Sequence, residues 1–244
     1  MPGSMVLDWA RKAEAGPFSS LAAIDRLVYG NYEPLTILAA AAGATQSIRL
    51  MASILLAPLR NGGVLAKQAA SLDAVSGGRL TLGVGGREED YLAAPALFRT
   101  RGRRLDEQLA LMKRIWAGEP VGDGIGPVGP PPSQPGGPEI LIGAYAPAAL
   151  RRVSRWADGF LGAVVPPEMM QQMLEGVQDA WRGAGRCGEP RLVAGRYYRL
   201  GPNSKEPSEA YIRDSFGFGG DRAEQLVQSI LSTPEAIKTQ MPAL

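Results

Sequence analysis

Residues 64–85 read VLAKQAASLDAVSGGRLTLGVG, and this one stretch indicates the class of fold. Its first part, 64–74, is predicted to be a helix, and the apolar run 80–84 that follows the Ser-Gly-Gly turn is predicted to be a buried strand. A helix that leads through a tight turn into a buried strand is typical of proteins with a parallel sheet. The stretch therefore predicts an α/β protein.

The same alternation of strand and helix continues on both sides of this stretch. Strands are predicted at 18–24, 48–57, 80–84, 139–142, 159–164 and 191–200. Helices are predicted at 6–15, 34–42, 64–74, 99–117, 147–157 and 167–182, with further helices in the tail 207–244. This order favours parallel βαβ units, arranged either as a closed (β/α)8 barrel or as an open doubly wound sheet. Periodicity alone does not choose between the two.

Size and composition restrict the class of protein further. The chain has 244 residues, of which 45% are hydrophobic and 20% are charged. This fits one α/β domain or two smaller ones, and it excludes a small disulfide-stapled protein and a globally disordered chain. We interpret residues 1–5 as an appended segment ahead of a second methionine, and residues 6–244 as a single domain.

Charge and hydropathy exclude several kinds of partner. A formal net charge of +2 is too balanced for a nucleic-acid-binding face. Cys187 is the single cysteine, no N-terminal run resembles a secretory signal, and no apolar run approaches the roughly 18 residues of a membrane span. We therefore expect a cytoplasmic protein that binds neither nucleic acid nor membrane.

The sequence contains no histidine. Histidine is the commonest general base and the commonest transition-metal ligand. Its absence excludes a Ser-His-Asp triad, a Cys-His pair and a His-Cys zinc site. The acidic run 87–90 (Arg-Glu-Glu-Asp) is interpreted as the solvated start of a helix, and no metal site is predicted.

A glycine-rich segment, Gly83-Val-Gly-Gly86, follows the strand at 80–84. It is not a dinucleotide fingerprint, because Glu88 stands where the third glycine of GxGxxG is required. Small residues at a strand end allow a planar ligand to approach the backbone closely. The segment is therefore either a ligand contact or a plain strand end.

Two other strand ends carry candidate chemistry. In the run Ile-Gly-Ala-Tyr-Ala-Pro at 142–147, a strand turns into a helix that has proline in its first turn, and the free N–H groups of such a helix favour a phosphate. A strand-to-helix turn with nothing bound is the alternative. Asp25 and Arg26 directly follow the strand predicted at 18–24. They are either functional residues of the site or an exposed ion pair on a loop. The Gly/Pro-rich segment 118–138 is predicted to be a surface loop, either a mobile lid or a crossing loop.

Three blocks of sequence carry a resemblance to a known family: 71–85, 101–107 (RGRRLDE), and 147–152 (PAALRR) with 157–160 (ADGF). With them the chain resembles the bacterial luciferase-like oxidoreductases. The resemblance implies a (β/α)8 TIM barrel that binds FMN, or the deazaflavin coenzyme F-420, at the carboxyl ends of its strands. The family's first strand would precede residue 6 and its last would follow residue 244, so the expected fold is this barrel without those two strands. Homodimers are usual in the family, and we expect one here.

The resemblance also implies roles for individual residues. The residues expected to contact the cofactor are Ile54, Leu55, Ala57, Gly85, Gly143, Ala144, Tyr145 and Ala146. The turn 143–146 would hold the phosphate, and a bulge with a non-prolyl cis peptide, placed at Ile54–Leu55, would lie against the ring. Asp25 and Glu88 are the expected catalytic residues.

The chain also departs from the family pattern. Many members carry a histidine where this chain has Arg26. Proton transfer must therefore use Asp25, Glu88, a tyrosine such as Tyr91, or water.

Three functions follow from the resemblance. The first is a flavin-dependent monooxygenase or oxidoreductase that acts on a small organic substrate. The second is a deazaflavin-dependent reductase or dehydrogenase, and the third is a flavin-binding protein without catalytic activity. An open α/β domain that binds no ligand remains as the plain alternative.

Overall fold

The structure is a computed structural model that describes residues 2–143, 145–217 and 220–240. The strands are β1 (Ser20–Ala23), β2 (Arg49–Leu55), β3 (Leu80–Val84), β4 (Glu139–Gly143), β5 (Gly159–Gly162) and β6 (Arg191–Ala194). The helices are α1 (Gly3–Ala15), α2 (Pro34–Ala44), α3 (Gly62–Ser76), α4 (Arg101–Trp116), α5 (Pro147–Trp156), α6 (Pro167–Gly183), α7 (Lys205–Phe216), α8 (Arg222–Gln228) and α9 (Pro234–Gln240). Short 3₁₀ turns lie at Ala57–Leu59, Glu89–Ala93 and Phe98–Thr100.

The strands form one parallel sheet in the order β1-β2-β3-β4-β5-β6, which is also their order in the chain. Each strand is joined to the next by a helical crossover, as parallel strands require. Over the residues described, β1 and β6 are the two edges of the sheet and do not pair with each other. The fold is therefore the expected α/β barrel without its first and last strands, a curled part of a TIM barrel.

The apolar core lies mainly between the sheet and its helices. Leu50, Ala52, Leu80 and Leu82 face this layer and are fully buried, which is why β2 and β3 are apolar runs. A second, smaller cluster consists of Met51, Leu141 and Leu161, with Ile54 and Val193 packed against it. Because successive side chains of a strand point to opposite faces, this second cluster lies on the inner face of the barrel.

The turn at 76–78 fixes how α3 meets β3. Gly77 ends α3 in the left-handed conformation with φ of 68°, and its N–H donates to the carbonyls of Asp73 and Ala74. Arg79 follows, and its guanidinium donates to the carbonyls of Ala42, Thr45 and Ile48 near the end of α2. A cation at the carboxyl end of a helix is stabilised by the helix dipole. The predicted helix-turn-strand unit is confirmed, and Arg79 attaches it to the preceding unit.

The element bounds differ from the prediction at both ends of the chain. Helix α1 begins at Gly3 and not at residue 6. Strand β6 ends at Ala194, whereas the apolar pattern predicted a strand up to residue 200. The chain leaves the sheet after β6, and Tyr198 forms an isolated parallel bridge with Leu231.

The Gly/Pro-rich loop 118–138 lies at the amino ends of the strands. It runs from the end of α4 to the start of β4, and there Gln134 donates to the carboxylate of Asp73 and to the carbonyl of Leu80. Lys67 on α3 donates to the carbonyl of Gly129 in the same loop. Ligand sites of such folds lie at the opposite, carboxyl ends of the strands. The described contacts of the loop thus lie at the end of the sheet opposite to the strand ends where a ligand is expected, which favours a crossing loop over a lid.

None of the helices that the structure describes is long and apolar enough to cross a membrane.

Candidate cofactor site

The carboxyl ends of β2, β3 and β4 meet at the side chain of Ile54. The pairing of β2 with β3 shifts between Ser53 and Leu55, so Ile54 is an extra residue that forms a bulge. A Cβ built on Gly85 would lie 2.6 Å from Cδ1 of Ile54, and one built on Gly143 would lie 3.1 Å from its Cγ2. Three predicted cofactor residues on three neighbouring strands are thus brought together.

The cis peptide bond lies one position earlier than the resemblance predicts. The bond between Ser53 and Ile54 is cis, and the placement at Ile54–Leu55 is wrong. The sheet register explains the difference, because Leu55 has already resumed pairing with Val84 and belongs to the regular strand. Main-chain hydrogen bonds join this segment to the residues that follow the two neighbouring strands. The carbonyl of Ile54 accepts from the N–H of Asp25, and the carbonyl of Leu55 accepts from the N–H of Gly85.

Leu55 and Ala57 point away from the site. Both side chains are fully buried in the core between sheet and helices. Ile54, by contrast, is partly exposed. Of the three residues predicted on this segment, Ile54 is therefore the one whose side chain lies at the strand ends.

Asp25 connects the end of β1 to the segment after β2. Its Oδ2 accepts from the N–H of Leu56 at 2.9 Å and from Nη2 of Arg60 at 2.7 Å. The Asp25 side chain is 8% exposed, so both bonds are largely shielded from water. The alternative of an exposed loop ion pair between Asp25 and Arg26 is wrong, since both residues are buried and each binds a different partner.

The partner of Arg26 is Asp90, which the sequence pattern does not distinguish from its acidic neighbours. The carboxylate of Asp90 accepts from Nε of Arg26 at 2.9 Å and from the N–H groups of Leu27 and Val28 at 2.6 and 3.1 Å. Asp90 is completely buried. The interpretation of 87–90 as a solvated helix start is therefore wrong for this residue. Asp90 is two residues beyond Glu88, the predicted acid. No local sequence pattern indicates that Asp90 pairs with Arg26, which is 64 positions away.

Glu88 itself is exposed after the end of β3, and its side chain has no hydrogen bond or ion pair within the described ranges. Tyr91 lies beneath the same segment and is 6% exposed. Its hydroxyl is buried without a hydrogen-bond partner among the described residues, and burial raises its pKa. A Cβ on Gly86 would lie 3.3 Å from this hydroxyl, so the glycine-rich strand end lies directly on it.

The predicted phosphate turn is described in part. Gly143 ends β4, Ala144 lies outside the described residues, and Tyr145 is 53% exposed with its hydroxyl bonded to Arg222. Ala146 is the N-cap of α5, and no side chain among those described caps this end of the helix. Backbone N–H groups at an uncapped helix start are available to an anion.

The last turn of α7 covers the strand ends. The carbonyl of Ser215 accepts from Nη1 of Arg26 at 3.2 Å, and that of Asp214 accepts from the hydroxyl of Tyr29. Phe216 lies with its ring 4.7 Å from Cζ of Arg87 and edge-on to Tyr197. Burial raises the pKa of Tyr197 to about 12, and a nearby tyrosine adds to the effect. The last turn of α7 is therefore held over the strand ends by cation–π and main-chain contacts. Tyr197, which lies against it, stays neutral.

These residues fit a planar cofactor with a phosphate. Ile54 presents an apolar side chain between two glycines, and a side chain on either glycine would occupy the same space. The α5 start lies at the end of the neighbouring strand β4, where a phosphate would be held. Among the residues that the structure describes, no group of three or more cysteine, aspartate or glutamate side chains is placed to hold a metal ion.

Sequence comparisons identify the family of the chain. The model of the luciferase-like monooxygenase family matches residues 2–240. Since the match spans nearly the whole chain, the chain belongs to this family. A Mycobacterium tuberculosis protein described as uncharacterized is 32% identical over 208 residues, which is 72% of this chain and 71% of that relative.

Two solved structures show the same fold. An F-420-dependent secondary alcohol dehydrogenase, solved with an F-420–acetone adduct, has a TM-score of 0.84 at 15% identity and covers 100% of this chain and 86% of its own. The FMN-bound oxygenating component of 3,6-diketocamphane monooxygenase from Pseudomonas putida has a TM-score of 0.73 at 17% identity. The match covers 93% of this chain and 72% of the solved chain. At these identities the likeness establishes the fold.

Proposed function

We propose that the chain is a flavin-type oxidoreductase that binds FMN or the deazaflavin coenzyme F-420 at the carboxyl ends of β1 to β4 and acts on a small organic substrate. The observation that carries the proposal is the convergence of Ile54, Gly85 and Gly143. One partly exposed apolar side chain between two glycines is a surface on which a flat ring can pack. Family membership supports the proposal, and two solved structures with the same fold contain FMN or F-420.

The remaining predicted contacts are assigned as follows. The turn from Gly143 to Ala146 binds the phosphate through the N–H groups at the start of α5, and Tyr145 lies at its rim. Leu55 and Ala57 support the bulge from within the core. When bound, either cofactor supplies hydride transfer, and FMN also supplies reaction with dioxygen. The chain itself binds, orients and shields the reacting groups.

Proton transfer is assigned to Glu88, with Asp25 as the second candidate. Glu88 is exposed at the end of β3, so it can exchange a proton with solvent. Asp25 is buried and holds Leu56 and Arg60 in place, which gives it a positioning task whatever its part in proton transfer. Arg26 cannot replace the histidine of other members as a base, since a guanidinium stays protonated.

The test is a side-by-side titration of the purified chain with FMN and with F-420, followed by cofactor fluorescence. We expect micromolar or tighter binding of one of them. Turnover of the loaded protein is then compared with free cofactor, with and without oxygen. Oxygen uptake assigns a monooxygenase, and oxygen-independent hydride transfer assigns a reductase or dehydrogenase.

Two results would contradict the proposal. Binding of neither cofactor removes the assignment altogether. Binding without any turnover beyond that of free cofactor leaves a flavin-binding protein and not an enzyme.

A further inference from the structure

Arg87 lies at the end of β3, and its guanidinium has an ion-pair and a cation–π contact but no hydrogen bond among the described residues. Its side chain is only 22% exposed, yet its guanidinium makes no hydrogen bond within the part of the chain that is described. The carboxylate of Glu89 is 3.9 Å from its Nε, which is beyond hydrogen-bond distance. Phe216 offers an aromatic ring but no acceptor. A guanidinium has five N–H donors, and neither of these contacts provides a hydrogen-bond acceptor for them.

Arg26 adds to this excess of donors. Its side chain is 4% exposed, Nε and Nη1 are bonded to Asp90 and Ser215, and Nη2 is buried without a partner among the described residues. Burial is the main reason that the pKa of Arg87 is lowered, and the charge of Arg26 is the next. The two guanidiniums therefore repel each other, and the carboxylates of Glu89 and Asp90 offset part of this repulsion.

The position of the pair relative to the sheet indicates what it binds. Arg26 follows β1 and Arg87 follows β3, and these are the two strands on either side of the bulge at Ile54. The start of α5, to which the cofactor phosphate is assigned, follows β4 instead. An anion at the arginine pair would thus lie at the ring end of the cofactor and not at its phosphate end.

We propose that Arg87, reinforced by the charge of Arg26, binds the carboxylate of an anionic organic substrate beneath the last turn of α7. The planar fork of a guanidinium matches a carboxylate through two parallel hydrogen bonds. Phe216 then closes the apolar side of this subsite. The inference rests on the proposed function, because it takes the Ile54 bulge as the place of the ring.

The test uses benzoate and its uncharged analogue benzamide as probes, titrated calorimetrically into the protein with and without FMN. We expect benzoate to bind the wild type at least about tenfold more tightly than benzamide, as the gain of a charge-assisted pair implies. Arg87→Gln is expected to abolish this preference, and Arg87→Lys to retain part of it. Arg103→Gln, whose side chain on α4 is 76% exposed, is the matched control and should leave the preference unchanged.

The outcomes are distinguishable. Equal affinities in the wild type, binding of neither probe, or a preference that survives in Arg87→Gln each overturn the proposal. If inorganic phosphate competes with benzoate and saturating FMN displaces both, the pair binds the cofactor phosphate and the substrate assignment is wrong. If neither FMN nor F-420 binds but the Arg87-dependent preference remains, the proposed function fails and the anion subsite stands.

Discussion

The side chain of Ile54 fills the space that any side chain at position 85 would need, since a Cβ on Gly85 would come within 2.6 Å of Cδ1 of Ile54. Gly85 is not among the residues with positive φ, so the restriction is one of space and not of backbone conformation. The bulge on β2 and the glycine on β3 therefore have to be considered together.

The relation between Gly85 and Ile54 is tested by Gly85→Ala. Because the conflict is with the end of a flexible side chain, Ile54 can turn aside at a cost of about 0.5–1.5 kcal/mol. We expect a small loss of stability but a clear loss of cofactor affinity, and Ile54→Val in the same background should restore part of it by removing Cδ1. Cofactor titration and urea unfolding measure the two effects.

Two other glycines serve as controls for that variant. At Gly83 the new Cβ would lie 2.5 Å from the carbonyl oxygen of Ala52, which cannot move aside, so Gly83→Ala should cost more stability than Gly85→Ala. Gly43 in α2 has nothing within 4 Å, and Gly43→Ala should stabilise by about 0.5–1 kcal/mol. Unchanged cofactor affinity in Gly85→Ala would show that Ile54 is not a cofactor contact.

Substitution of Asp90 is expected to lower the free energy of unfolding far more than substitution of Glu88. Asp90→Asn removes the counter-charge of buried Arg26, and loss of one partner of a buried pair costs about 3–5 kcal/mol. Glu88→Gln should leave the free energy of unfolding within about 0.5 kcal/mol of the wild type, because the side chain is exposed. Its effect should appear in turnover and in the pH profile of turnover. Equal destabilisation by the two variants would contradict this division.

Asp25 and Arg60 are expected to be energetically coupled. A double-mutant cycle with Asp25→Asn and Arg60→Gln should give a coupling of about 1–3 kcal/mol, because the 2.7 Å bond is largely buried. The exposed pair of Arg103 and Glu107, 3.8 Å apart, is the reference and should give less than about 0.5 kcal/mol. If both cycles give the same coupling, Asp25 does not hold the segment after β2.

Glu14 makes stability depend on acid pH. Its carboxylate accepts from the N–H groups of Gln46, Ser47 and Ile48, and the bond from the Ser47 N–H is the main cause that lowers its pKa to about 2. The unfolded chain takes up this proton near the ordinary value of 4.5, so the stabilisation is present above pH 4.5 and is lost as pH falls through about 2.

The measurement for Glu14 is the urea midpoint at several pH values between 6 and about 2. Glu14→Gln should have a lower midpoint at pH 6 and a shallower decline toward acid. Ser47→Ala removes only the hydroxyl bond and keeps the main-chain bonds, so it should retain most of the decline. A decline in Glu14→Gln as steep as in the wild type would assign the acid sensitivity to other groups.

Much of the fold could be predicted because its signals are local. The helix-turn-strand unit at 64–85 was predicted with β3 at its observed bounds, since a buried parallel strand is a continuous apolar run and Gly77 marks the end of a helix. The end of β6 was predicted too late, because an apolar run continues in the sequence after the chain has left the sheet. The hydrophobic pattern of a segment does not indicate whether a neighbouring strand is present for it to pair with.

The sequence by itself determined the alternation of strands and helices, the glycine-rich strand ends and the blocks by which the chain resembles its family, because each of these depends on neighbours within a few residues. Only the tertiary structure decided that Ile54 lies between Gly85 and Gly143, that Asp90 is buried whereas Glu88 in the same acidic run is exposed, and that loop 118–138 contacts the amino ends of the strands. Asp90 and Arg26 are 64 positions apart and meet because β1 and β3 both flank β2 in the sheet. Such contacts follow from which strands become neighbours, and this is settled by the packing of the whole sheet and not by any local pattern.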